Sequence, residues 1–97
     1  MTCKIERFAS GENVVVLRVC GRIQREHVST IKDLILRETS AVALDLTEVT
    51  LVDRDVVNFF AVCERGGVEL WNCPAFLREW VVKEQLRMGE EPPIKAP

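Results

Sequence analysis

The stretch from Ala41 to Gly67, AVALDLTEVTLVDRDVVNFFAVCERGG, constrains the fold of this chain more than any other. It opens with an apolar run, Ala41 to Leu46, long enough for one strand and interrupted only by Asp45. A run without polar alternation implies a strand buried on both sides, so helices are expected to cover the apolar faces of the central strands. A connector, Thr47 to Val52, leads to Asp53 and then to a helical pattern that closes at Gly66-Gly67. A strand that opens through a polar turn onto a helix start is a common place for sites in α/β proteins. Unpaired N–H groups and the helix dipole converge there. The residues at that turn are Asp53, Arg54 and Asp55.

The flanking segments supply the remaining elements. Cys3 to Phe8 alternates enough for an edge strand, and Ser10 to Asn13 forms a turn cluster that closes a hairpin. Val14 to Cys20, VVVLRVC, has the β-branched density of a strand, which Gly21 should end. Arg18 breaks that run on one face, which should therefore reach solvent or a partner. From Gln24 to Glu38 the period changes, and Val28, Ile31, Leu34 and Ile35 share one helical stripe. Asp53 is suited to cap the next helix, which should bury Val56, Val57, Phe60 and Cys63 and end in a left-handed Gly66. Val68 to Trp71 is a short strand. Pro74 fits the first position of a last helix with Phe76, Leu77, Trp80 and Val81 inside, and Arg78, Glu79, Lys83 and Glu84 in solvent. From Met88 onward the composition reads as a flexible Pro-rich tail.

The order strand, strand, helix, strand, helix, strand, helix predicts an α/β fold. Its small mixed sheet of four or five strands should have a parallel core and an N-terminal hairpin, packed with about three helices. Residues 1–87 form the single domain and 88–97 the tail. With 97 residues, 47% of them hydrophobic and 29% charged, such a chain buries one core but no deep substrate cavity besides.

Composition removes several function classes. A net charge of −2 argues against a nucleic-acid surface. No apolar run approaches the roughly 18 residues of a membrane span. No secretory signal is readable in MTCKIERF, so the cytoplasm is the default compartment. Cys3, Cys20, Cys63 and Cys73 lack the paired spacing of a metal site and read as reduced, apolar residues. A regulatory bond between Cys63 and Cys73 has no positive signal. His27 has no triad partner and reads as a surface residue. Asp45, Asp53 and Asp55 are the clustered carboxylates, but nothing encloses them to raise a pKa, and no phosphate loop or nucleophile elbow is present. The expectation is a protein without catalytic activity, cofactor or metal.

The pieces VVVLRVCGRI (Val14 to Ile23), ALDLTEVTLVD (Ala43 to Asp53) and GGVELWNCP (Gly66 to Pro74) resemble the STAS domain. That domain is shared by bacterial anti-sigma factor antagonists and the cytoplasmic parts of sulfate transporters. The resemblance covers about residues 13 to 86 and implies an interaction module in bacterial transcription or stress signalling. Its expected partner is a kinase-like anti-sigma factor or another STAS protein. In the family a serine follows the aspartate at the position of Asp53 and is phosphorylated by the partner kinase. Here Arg54 stands at the phospho-acceptor position, Asp55 follows, and Val56 replaces a glycine. No hydroxyl lies between Asp53 and Asn58, so a phosphorylation switch at that point is chemically excluded.

What the resemblance leaves is a docking surface of Asp53, Arg54, Asp55 and Asn58 at the helix start. Arg22 and Gln24, in the loop before the first helix, complete it. The plainer reading is a set of solvated polar residues capping a helix. Asp55 as a fixed stand-in for phosphate is the weaker functional reading, because one carboxylate carries less charge. Two alternatives stand beside the signalling role. One is a STAS subunit of a lipid-importing ABC transporter complex. The other is a small anion- or nucleotide-binding module using Arg54 and the helix N–H groups. Many family members continue past the last helix, so Trp71 or Trp80 could contribute to an uncovered patch. Several hundred Å² of such surface would indicate a homodimer or a stable partner.

Overall fold

The computed structural model describes residues 3–11 and 13–90 of the chain. It is an α/β fold with a five-stranded mixed sheet and three helices. The strands are β1 (Cys3–Ala9), β2 (Val14–Ile23), β3 (Ala41–Asp45), β4 (Val49–Val52) and β5 (Glu69–Trp71). The helices are α1 (Val28–Leu36), α2 (Arg54–Arg65) and α3 (Ala75–Glu90), with a 3-10 turn at Arg25–His27 leading into α1. Among the described residues, no helix is long and apolar enough to cross a membrane.

The strand order is β1-β2-β3-β5, with β1 antiparallel to β2 and the other pairs parallel. The hairpin turn contains Asn13 in the left-handed region (φ 64); Glu12, which belongs to the same predicted turn, lies outside the described residues. β2 does not end at Gly21 as the sequence predicts. Gly21 adopts φ 90, the register shifts between Gly21 and Arg22, and the strand continues to Ile23. A glycine at a bulge accommodates this backbone without a Cβ clash. From Gly21 onward β2 pairs with β4, a strand formed from the last four residues of the expected connector, with Gly21 opposite Val49, Arg22 opposite Leu51 and Ile23 opposite Val52. The amide of Gly21 donates to the carbonyl of Glu48 at 2.9 Å and closes the gap between the two pairings.

Strand alternation sends Val15, Leu17 and Val19 of β2 and Val42 and Leu44 of β3 into one core. Ile31 of α1, Val56, Val57, Phe60 and Ala61 of α2, and Leu77 and Val81 of α3 fill it from the helical layer. Each buried Val, Leu, Ile or Phe contributes roughly 1.5–3 kcal/mol. The helices meet this face of the central strands, whereas the sequence implied cover on both. The opposite face closes with its own side chains. Val16 and Ala43 are buried there outside the core, and the Arg18 guanidinium lies 5.1 Å above the Phe8 ring. Arg18 also reaches within 3.6 Å of Asp45, its cross-strand neighbour. It therefore meets a carboxylate and a ring on a half-buried face.

Several helix details differ from expectation. In α2, Ala61 is fully buried and Cys63 only half-buried, while the left-handed residue is Gly67 (φ 106); Gly66 has φ −87. In α3, Pro74 is the capping residue: its carbonyl accepts from the amides of Leu77 and Arg78, and the helix begins at Ala75. The buried stripe of α3 is Leu77, Val81 and Glu84, leaving Phe76 and Trp80 outside. Finally, α3 runs through Glu90, so residues 88–90 are helical where a tail was predicted. The rest of that tail, 91–97, lies outside the described residues.

Candidate docking surface at the start of α2

β4 delivers Asp53 to the start of α2, and its carboxylate joins two elements. One oxygen (Oδ1) accepts from the amide of Val56 at 3.1 Å, the N-cap contact the sequence predicts. The other (Oδ2) accepts from the amide of Arg25 at 2.8 Å, at the entrance to the 3-10 turn before α1. One side chain thus satisfies orphan N–H groups at two helix starts. The second contact is not readable from spacing, because Arg25 lies 28 positions earlier and meets Asp53 only after the sheet forms. On the same turn the amide of Gln24 donates to Nδ1 of His27 at 2.9 Å. His27 is therefore half-buried and structural, not the free surface residue its sequence context implies.

This clamp brings Arg22, Gln24 and Asp53 around one open hollow of about 320 Å³, together with Ile23, Leu51 and Val52. Leu51 is 50% exposed and pairs across the strands with Arg22, which places an apolar patch at the centre of a polar rim. That is the composition of an interface core and its surround. Sequence reasoning missed Leu51 because it stood in a segment read as a connector. Asp55 stands on the first turn of α2, 3.7 Å from the guanidinium of Arg25, with both side chains largely exposed. Such a pair contributes a few tenths of a kcal/mol at most and leaves both charges available to a partner.

The remaining two predicted residues stand apart from that hollow. Arg54 turns toward α3, and its Nε lies 3.4 Å from Glu84 Oε2. A cation in the first turn of a helix opposes the dipole, and the carboxylate of Glu84 offsets that cost. Asn58 is exposed on the next turn of α2 and does not line this hollow.

The other chemistry-bearing groups have structural roles. Asp45 is buried at the end of β3, away from solvent. Burial pushes its carboxyl upward, but donation from the hydroxyl and amide of Thr47, with Asn72 and the Arg18 charge, outweighs this and holds it below its ordinary value. All four cysteines are free thiols, so no bond joins Cys63 to Cys73. Burial pushes the Cys63 thiol up to about 11, which keeps it protonated and unreactive near neutrality. Among the described residues, no three His, Cys, Asp or Glu side chains are grouped to hold a metal ion. The start of α2 thus offers a polar rim, an exposed leucine and fixed backbone geometry, which suit contact with another surface. Comparison with protein-family models gives no match to this chain, and comparison with curated proteins gives none either.

Proposed function

We propose that this chain is a non-catalytic protein-interaction module of the STAS type, similar to anti-sigma factor antagonists but without their phosphorylation switch. The observation that carries the reading is the first turn of α2. No hydroxyl occurs from Asp53 through Asn58, and both Asp53 oxygens are engaged by backbone amides. The surface around them is therefore held in one shape. Arg22, Gln24, Asp55 and the exposed Leu51 form the contact region. In this reading the partner is a kinase-like anti-sigma factor or another STAS protein, and the setting is the bacterial cytoplasm.

The test measures affinity for candidate partners of those two kinds with Leu51→Glu, Arg22→Glu and Asp55→Arg variants. All three side chains are exposed, so the fold should survive substitution, which circular dichroism checks. A charge placed on the apolar centre should weaken binding by about tenfold or more, and each rim change by less. Equal affinity for all variants, with the fold intact, would remove this face from the partner contact.

A further inference from the structure

α3 presents a surface that the start of α2 does not account for. Phe76, Trp80, Lys83 and Arg87 follow one another at steps of four, three and four residues, so they form one stripe along the helix. The aromatic end of the stripe is open: Phe76 is 47% and Trp80 36% exposed. Its cationic end, with Arg54 from the neighbouring helix, borders an open hollow of about 240 Å³. Glu84 lies in that hollow and is only 4% exposed. Its carboxylate already accepts from Arg87 at 2.9 Å and stands 3.4 Å from Arg54. Three cations there face one carboxylate, and Lys83 has no ion-pair partner among the described residues.

We propose that the hollow between α3 and Arg54 seats an acidic segment of a protein partner, one carboxylate meeting Lys83 and Arg87 while an apolar side chain packs on Trp80 and Phe76. The buried Glu84 accepts hydrogen bonds from Arg87 and holds Arg54 at ion-pair distance, so an excess of two positive charges is gathered at the hollow. Arginine beside an exposed tryptophan is the composition in which binding energy concentrates at interfaces. A small free anion would satisfy the cations but leave the aromatic half of the stripe unused. An anionic bilayer would satisfy both, yet it meets a concave recess, with Glu79 exposed on the same helix and a chain of net charge −2. An acidic, partly apolar polypeptide fits shape and charge together. This surface is distinct from the face at Leu51, so either can fail without the other.

The experiment uses the full chain carrying Trp71→Phe, so that Trp80 is the sole tryptophan. It is titrated with a synthetic Glu/Leu-rich peptide, a Lys/Leu-rich counterpart, inorganic phosphate, and phosphatidylglycerol vesicles. The expected result is a saturable shift of Trp80 emission with the acidic peptide alone. Lys83→Glu should weaken that binding by about tenfold, as reversing one charge at a contact does, while the same reversal at the exposed Lys32 of α1 (Lys32→Glu) leaves it unchanged. Trp80→Ala, followed by calorimetry, should weaken it to a similar extent. Equal binding by the Lys83→Glu protein overturns the proposal. So does an emission shift with phosphate or vesicles alone, or no saturable shift with the acidic peptide at millimolar concentration.

Discussion

Asp53 shows how much of the local architecture one side chain can hold. Its two carboxylate oxygens cap α2 and anchor the turn before α1, so Asp53→Ala removes both contacts together. The expected loss is about 2 kcal/mol, at the upper end for a cap, with Asp53→Asn retaining part of it. Urea denaturation of the two variants measures the difference. A second residue-scale prediction concerns acid. The bidentate hydrogen bonds from Arg78 hold the carboxyl of Glu64 below its ordinary value, against a smaller upward push from burial. A carboxyl whose folded value lies below its unfolded one stabilises the fold above the unfolded value, and that contribution is lost as pH falls through the folded value. The stability gap between wild type and Glu64→Gln should therefore be full at neutral pH and close as pH falls below about 4. Urea midpoints measured across that range follow it; a gap that persists in acid would contradict the assigned role. The cap was legible in the sequence because Asp before an apolar helical pattern is a local signal. Its second bond was not, since long-range partners leave no mark in spacing.

At the scale of elements, Gly21 is where local reading and tertiary structure part. A glycine after VVVLRVC reads as a stop, but its left-handed backbone lets β2 step past a bulge and take a second parallel neighbour. Gly21→Val forces a β-branched side chain into that conformation and should cost about 1–3 kcal/mol. Because the bulge aims Arg22 and Ile23 at β4, the same variant should also weaken partner binding at the Leu51 face. Thermal melting and partner titration measure the two effects separately. β4 reads as a connector in the sequence because four residues, VTLV, carry too little periodicity to outweigh their neighbours. In α3 the error was one of phase. Phe76, Leu77, Trp80 and Val81 span about 140° of the helix, a width one face can bury, but packing against α2 selects the side that carries Leu77 and Val81. The deciding residue, Glu84, looked solvent-facing by type. Its burial becomes intelligible only once Arg54 and Arg87 are placed beside it.

For the molecule as a whole, the class of fold was visible in the alternation of strand and helix patterns, and the parallel order followed from the crossover rule. Which face of the sheet the helices occupy was not visible, since the uninterrupted apolar runs implied cover on both. The site was legible in part. Arg22, Gln24 and Asp53 come together, Asp55 stands beside them through Arg25, and Arg54 is drawn to the far side by Glu84. That separation gives the chain two unlike surfaces, one with an apolar centre and a mixed rim, one aromatic and cationic. The proposed function requires the first of these to be fixed, with no covalent control at the start of α2. Incubation with candidate kinase-like partners and ATP, followed by peptide-mapped mass, tests it directly. No phosphate is expected on residues 47–58; a phosphate mapped to that segment would rule the proposed function out.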